Sequence, residues 1–320
     1  MEILPGTSAH HPGIAELINS LYPEQKVSAA DVADGERQLD PKLKFRRWVA
    51  VEKEQVIGAA TYRQSVWFAH PQKFIIAVSV LPERQGRGLG SRLYDTVMEG
   101  LQPFDPIALR ANASGDRPQS IRFLEKRGFR EVIRDVRLEL NVQAFDLSRF
   151  TGLEDHFREN GIEIKTLPEL ESDPERNQKL YDLDWELSLS VPGDLAAGIG
   201  RRGLEKYVEY AISGPSVVPE GFFIAVRGDE YIGLSHLLVT EEGVSLYQGL
   251  TGVKPQYRHQ GIGLAMKIRA IAYAQSHGYA RIQTENDAKN IPMLHVNENL
   301  GYLRKSEWIT FEKQLQPTEM

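Results

Sequence analysis

One stretch of this chain recurs 173 positions downstream. Around Pro82 the sequence reads V-S-V-L-P-E-R-Q-G-R-G-L-G-S-R-L, and around Pro255 it reads T-G-V-K-P-Q-Y-R-H-Q-G-I-G-L-A-M. Pro82 and Pro255 keep the spacing of 173, as do Gly88 and Gly261. So do Gly128 of R-F-L-E-K-R-G-F and Gly301 of H-V-N-E-N-L-G-Y. Upstream, V-E-K-E-Q-V-I-G ending at Gly58 is similar to V-R-G-D-E-Y-I-G ending at Gly233, at an offset of 175. Features that keep their order at nearly one spacing describe a duplicated domain. The 320 residues hold two domains of ordinary size, at roughly 150 residues each. The expected division is 1–145 and 146–320, with the boundary inside 141–161.

Each copy reads as α/β. In the first, residues 9–21 and 29–39 are expected as helices, and 47–51 with 56–65 as a hairpin across Lys53–Gln55. Residues 74–81 are continuously apolar, the pattern of a strand covered on both faces. Leu93, Val97 and Leu101 then recur at helical spacing. A strand at 107–111, a helix at 119–127 stopped by Gly128 and a closing strand at 131–140 complete the copy. The second copy follows with strands at 222–227, 231–239 and 244–253, and a helix around Leu264, Ile268 and Ile271. A strand at 281–285 and a helix at 292–300 end it. Between the copies, T-G-L-E (Thr151 to Glu154) has capping-box spacing for a helix running to Asn160.

Composition removes several chemistries. With Cys 0 there is no thiol nucleophile, disulfide or cysteine-ligated metal. A net charge of −6 gives no support to nucleic-acid binding by phosphate neutralisation. The longest apolar run, F-I-I-A-V-S-V-L, is far short of the ~20 residues that span a bilayer. M-E-I-L-P-G has no basic region followed by an apolar one, so no signal peptide is expected, and a cytoplasmic protein without membrane or nucleic-acid partners is. The 8 histidines show no metal-ligand spacing, and no metal is expected. Trp48, Trp67, Trp185 and Trp308 are expected as core or cleft walls.

The chemistry is expected in the repeated loop. Gln85-Gly86-Arg87-Gly88-Leu89-Gly90 and Arg258-His259-Gln260-Gly261-Ile262-Gly263 each join a strand to a helix start. The first amides of a helix lack internal partners and lie at its positive end, so such a loop can hold an anion. Neither copy has the lysine and hydroxyl of G-x-x-x-x-G-K-[ST], and the spacing is tighter than in G-x-G-x-x-G.

The motif (Q/R)-x-x-G-x-G after such a strand, with a later helix ending G-F or G-Y, resembles the GNAT superfamily of acyl-CoA-dependent N-acyltransferases. Because it covers both halves, the chain resembles a tandem GNAT protein, similar in architecture to mycothiol synthase. The resemblance implies two GNAT-type α/β domains, each a mixed, mostly antiparallel central sheet flanked by helices. It implies acetyl-CoA as co-substrate, its pyrophosphate on the amides of the two loops named above. It implies that Val80 and Val253, on the preceding strands, pair with the pantetheine arm and polarise the thioester carbonyl. The family signature N-x-x-A-x-x-x-Y-x-x-x-G-F places Asn290 beside the coenzyme; Arg117 replaces that Asn in the first copy. The signature's tyrosine, which protonates the departing thiolate, is replaced by Leu124 and Asn297.

This asymmetry points to the C-terminal copy as the catalytic one. A protonated amine needs a base, and Glu285, Glu186 and Asn297 are the leading catalytic candidates, followed by Tyr247, Gln248, Asp182 and Asp184. The expected activity is transfer of an acetyl group to the primary amine of a small molecule by direct attack in a ternary complex, in a monomer or homodimer. The alternatives are a coenzyme-A-binding or regulatory module with degenerate sites, and a protein or peptide N-acetyltransferase.

Overall fold

The computed structural model of the chain describes residues 1–23, 26–64, 70–191, 201, 203–240 and 243–316. Trp67 lies outside them, as do the final residue of the hairpin expected at 56–65 and the last four residues of the chain. The chain forms two compact units, Met1–Val132 with Ile309–Met320, and Ile133–Trp308. The division expected at 145/146 lies inside the second unit, and residues 309–320 group with the first.

Unit 1 runs β1 (Glu2–Pro5), α1 (His11–Leu21), α2 (Ala29–Arg37), β2 (Phe45–Glu52), β3 (Gln55–Arg63), β4 (Lys73–Val80), α3 (Leu89–Leu101), β5 (Ala108–Ser114) and α4 (Pro118–Glu125). Its sheet has the order β1-β2-β3-β4-β5-β12, the last being the end of the final strand, Leu303–Gln314. β4 and β5 are parallel, and the pairs from β1 to β4 are antiparallel. The turn between β2 and β3 is tight: Lys53 and Glu54 both have positive φ, the hand that matches strand twist in a two-residue hairpin. Leu89, Leu93, Val97 and Leu101 put one helical stripe of α3 into a core that also contains Ile309 and Phe311.

The apolar run at 74–81 is not covered on both faces. Phe74, Ile76 and Val80 are buried, while Ala77 is exposed and Ile75 and Val78 are half-buried. The exposed stretch borders a cavity rather than a second layer of core, which is why it stays apolar without being enclosed.

Unit 2 contains β6 (Arg130–Asn141, from Ile133 on), α5 (Asp155–Glu159), β7 (Ile162–Thr166), α6 (Arg176–Leu189) and α7 (Leu204–Tyr207). α7 runs into a π-helical turn at Val208–Ile212. Then come β8 (Val217–Arg227), β9 (Glu230–Val239), β10 (Ser245–Val253), α8 (Ile262–Ser276), β11 (Arg281–Asp287) and α9 (Ile291–Asn299). The order is β6-β11-β10-β9-β8-β7, with β10 and β11 parallel and the other pairs antiparallel.

β6 closes the first copy in sequence, yet its residues pair with β11 from Asp135↔Asp287 to Asn141↔Arg281. Val136, Leu138 and Leu140 are buried with Ile282 and the α8 residues Ala265 and Met266, so apolar burial holds this strand in unit 2. The capping box expected at Thr151 does not form. The Thr151 hydroxyl donates to Ser148 O (2.9 Å), and Glu154 takes Arg269 in a two-pronged pair; the helix starts at Asp155 without a side-chain cap. Among the described residues, no helix is long and apolar enough to cross a membrane.

Candidate active site

Both copies of the repeated loop have the same backbone. After a single 3-10 turn, Gly86 and His259 at matched positions both have positive φ (72° and 61°). Gly88 and Gly261 are left-handed, with φ of 84° and 83°, and start α3 and α8. No side chain caps either helix. The first helical bonds are Arg92 N–H to Gly88 O (3.2 Å) and Ala265 N–H to Gly261 O (3.0 Å). The amides of Leu89, Gly90 and Ser91, and of Ile262, Gly263 and Leu264, therefore precede the intrahelical ladder. The side chains of Leu89 and Ile262 are buried, while Arg87 and Gln260 are exposed.

The strands entering these loops part from their parallel neighbours. β4 pairs with β5 only from Lys73 to Ile75, and β10 with β11 only from Ser245 to Tyr247. Beyond those points Val80 and Val253 lie on an open edge. Leu81 N–H donates to Ile57 O of β3 (3.0 Å), and Lys254 N–H to Ile232 O of β9 (2.8 Å). Since alternate residues of a strand point their amides to opposite sides, Val80 and Val253 turn theirs away from β3 and β9, into the gap. Their carbonyls are already held: Gln85 Nε2 donates to Val80 O, and Arg258 Nε to Val253 O, both at 2.9 Å. Gln85 and Arg258 thus do the same structural task with different side chains.

In unit 1 this gap is a cavity of about 460 Å³, bordered by Val78, Val80, Gly88, Ala111, Phe123 and Leu124 among others. Leu124 brings no proton to it.

In unit 2 the matched surroundings are more polar. Asn297, at the position of Leu124, is fully buried and donates to Asn286 Oδ1 of β11 (2.6 Å), and its own carbonyl oxygen has no partner. Asn290 caps α9, accepting from Met293 N–H (3.3 Å); its carboxamide oxygen is occupied by the helix. Glu186, exposed on α6, lies 3.8 Å from Lys254, which is bonded to Glu230 (2.8 Å). Glu285 is half-buried on β11 and accepts from Arg137 Nε of β6. Glu186 and Glu285 therefore both stand in ion pairs, one at the end of β10 and the other across from β6.

Four groups in unit 2 are shifted by burial, and of these only Asp184 is among the candidates expected from the sequence. Asp135, across from Asp287, is pushed up to about 6 by burial first and by the Glu285 and Asp287 carboxylates next. Asp184 on α6 is raised to about 6 by burial, and that carboxylate in turn adds to the upward push that burial gives the Tyr207 hydroxyl. His236 on β9 is lowered to about 4 by burial; it stacks on Phe222, and a Cβ on Gly249 would lie 2.2 Å from its Nε2. Lys267, 1% exposed on α8, donates to Gln248 Oε1 (2.6 Å) and is lowered to about 7 by burial. Of these, Lys267 was open to sequence reasoning, because the offset of 173 sets it against Tyr94.

The chain matches the Acetyltransferase (GNAT) family over residues 12–129 and 205–302. A GCN5-related N-acetyltransferase from Sphaerobacter thermophilus is similar in fold, with 17% identity, a TM-score of 0.71, and 99% of this chain and 96% of that one covered. A tandem GNAT protein from the clavulanic acid biosynthesis pathway is similar at 18% identity and a TM-score of 0.69, with 99% of each chain covered. A glucosamine N-acetyltransferase region in a fungal multi-domain GH3 β-N-acetylglucosaminidase reaches 0.72 at 12% identity, over 98% of this chain and 38% of that one. At such identities the likeness is one of fold. The chain belongs to the GNAT acetyltransferase family, and it carries two GNAT domains in tandem.

Proposed function

We propose that the chain is an acetyl-CoA-dependent N-acetyltransferase, in which unit 2 transfers an acetyl group to the primary amine of a small molecule by direct attack in a ternary complex. The observation that carries this reading is a backbone device built twice: an uncapped helix start beside a strand whose last amide faces an open gap. The amides at Leu89 to Ser91 and Ile262 to Leu264 suit a diphosphate. Acetyl-CoA supplies the acyl group as a thioester. Val253 N–H is positioned to polarise a carbonyl lying along β10, and one such donor is typically worth about 10²–10³ in rate.

Two features support unit 2 as the site of transfer. Glu285 stands on β11, which borders its gap, with Asp135 beside it on β6, the next strand out, whereas Leu124 borders the gap of unit 1. In this reading unit 1 binds the coenzyme in its cavity without turning it over.

Incubation with acetyl-CoA and a panel of primary amines, following free thiol, tests the reading. Small amines are expected to release thiol. Binding of acetyl-CoA with no thiol released across the panel would instead indicate a coenzyme-binding module, and release with peptide amines alone would indicate a protein acetyltransferase.

A further inference from the structure

Three carboxylates meet across β6 and β11 in unit 2, and their surroundings differ. Along β11, Ile282 and Asn286 turn towards α8 and α9, as the packing of Ile282 and the bond from Asn297 to Asn286 show. Glu285 and Asp287, one place along, turn to the opposite face. Their direct cross-strand partners Arg137 and Asp135 share that face. It lies on the side of the sheet that α6 covers, where Leu183 and Leu187 pack with Phe222 and Leu234.

Glu285 is committed to Arg137 Nε at 2.5 Å. Asp287 is 4% exposed; its Oδ1 accepts from Lys289 N–H (2.7 Å) and its Oδ2 has no partner. Asp135 is half-buried and has no hydrogen bond or ion pair among the described residues. The other charges around it are spoken for. Arg134 is bonded to Glu307 of β12, and Lys305 of β12 is 3.3 Å from Glu139. On β10, the Tyr247 hydroxyl is raised to about 12 by burial and then by Glu285 and Asp135, so it stays protonated.

We propose, building on the acyltransferase reading, that Asp135 is the general base of unit 2: it takes the proton of the attacking amine, while Arg137 and Glu285 form a fixed pair beside it. In the step, the ammonium form of the amine gives one proton to the Asp135 carboxylate, the freed nitrogen bonds to the thioester carbonyl carbon and the carbon–sulfur bond breaks. The second proton lost from the nitrogen passes, directly or through water, to the departing thiolate, which leaves as the thiol. Three structural facts select Asp135 over Glu285. It is free where Glu285 is paired, it is accessible where Asp287 is enclosed, and it faces two other carboxylates that favour the proton once taken. The base for the second domain is then encoded in the closing strand of the first copy.

The sign of the pH dependence follows. A base raised to about 6 works when ionised, so kcat/KM climbs as pH rises through about 6 and is level above it. The test uses the full chain, acetyl-CoA and the amine that releases thiol fastest, with Asp135→Asn, Asp135→Glu and Glu285→Gln. Asp135→Asn is expected to lower kcat/KM by about 10²–10⁴, as removal of a general base does. The limb near pH 6 should vanish, while acetyl-CoA affinity and melting temperature hold. Asp135→Glu should restore part of the rate, and Glu285→Gln should move the limb to lower pH by removing a neighbouring charge. Retention of both rate and limb in Asp135→Asn overturns the assignment while leaving the acyltransferase reading intact. Absence of thiol with every amine in the wild type ends both. Carbon-13 NMR of aspartate carboxyls gives a readout that needs no turnover: the resonance lost in Asp135→Asn should titrate near 6, and a midpoint near 4 contradicts the assignment.

Discussion

Lys267 shows how far a single position can depart from its counterpart in a duplicated domain. In the first copy Tyr94 borders the cavity and meets Phe123 and Phe129 edge-on. Lys267 instead lies over Tyr302, 5.4 Å from the ring centroid, and donates to Gln248, whose Oε1 also accepts from the Tyr302 hydroxyl. All its partners are neutral, so burial acts on the charged form unopposed and lowers it to about 7. An unfolded lysine titrates near 10.4, so between pH 7 and 10 the folded chain binds fewer protons than the unfolded one. Stability then rises with pH across that window, at roughly 1.4 kcal/mol per pH unit from this one group. Below pH 7 both states are charged and the contribution is flat. Lys267→Met should raise stability at pH 6 and remove the slope between pH 7 and 9, as read from denaturant midpoints. An unchanged slope contradicts this account of the site.

At the scale of elements, the two loops carry the most readable signal and also one that hides. Gly88 and Gly261 hold φ near 84°, where a side chain costs about 1–2 kcal/mol. Gly88→Ala and Gly261→Ala should each lower stability by about that amount, measured by urea unfolding. His259 occupies the same region at the place of Gly86, so His259→Gly should be neutral or stabilising. His259 standing where the first copy has Gly86 is the sequence trace of that positive-φ position. The parting of β4 from β5 and of β10 from β11 was not legible, because strand patterns give faces and not how far a pairing extends. Continuous apolarity at 74–81 read as double coverage when it borders an open cavity. Thr151 to Glu154 matched a capping box by spacing, yet Arg269, distant in sequence, claims Glu154. Local rules fail where a tertiary partner binds the same side chain more strongly.

At the scale of the molecule, repeat copies and compact units do not coincide. The sequence offset places β6 with the first copy and β12 with the second, but residues from Ile133 on belong to unit 2 and those from Ile309 on to unit 1. Periodicity located both strands; which sheet each joins depends on where its apolar face is buried. This is also why Glu285 stood out in the second copy while Asp135, across from it through pairing with β11, did not. Removing residues 309–320 takes the fully buried Ile309 and Phe311 out of the core of unit 1. Losing two such side chains costs several kcal/mol, at about 2–5 kcal/mol for each. The truncated chain should show proteolytic cuts within 1–132 at a temperature where 133–308 is still protected. Simultaneous cutting of both regions contradicts the unit assignment.

In the proposed function, main-chain amides at two helix starts hold the coenzyme. Calorimetric titration of acetyl-CoA into the wild type, Gly90→Glu, Gly263→Glu and the double variant measures this directly, with melting temperatures as a check on folding. The predicted result is two sites in the wild type, one in each single variant and none in the double. A folded double variant that binds acetyl-CoA with wild-type stoichiometry and affinity would contradict it.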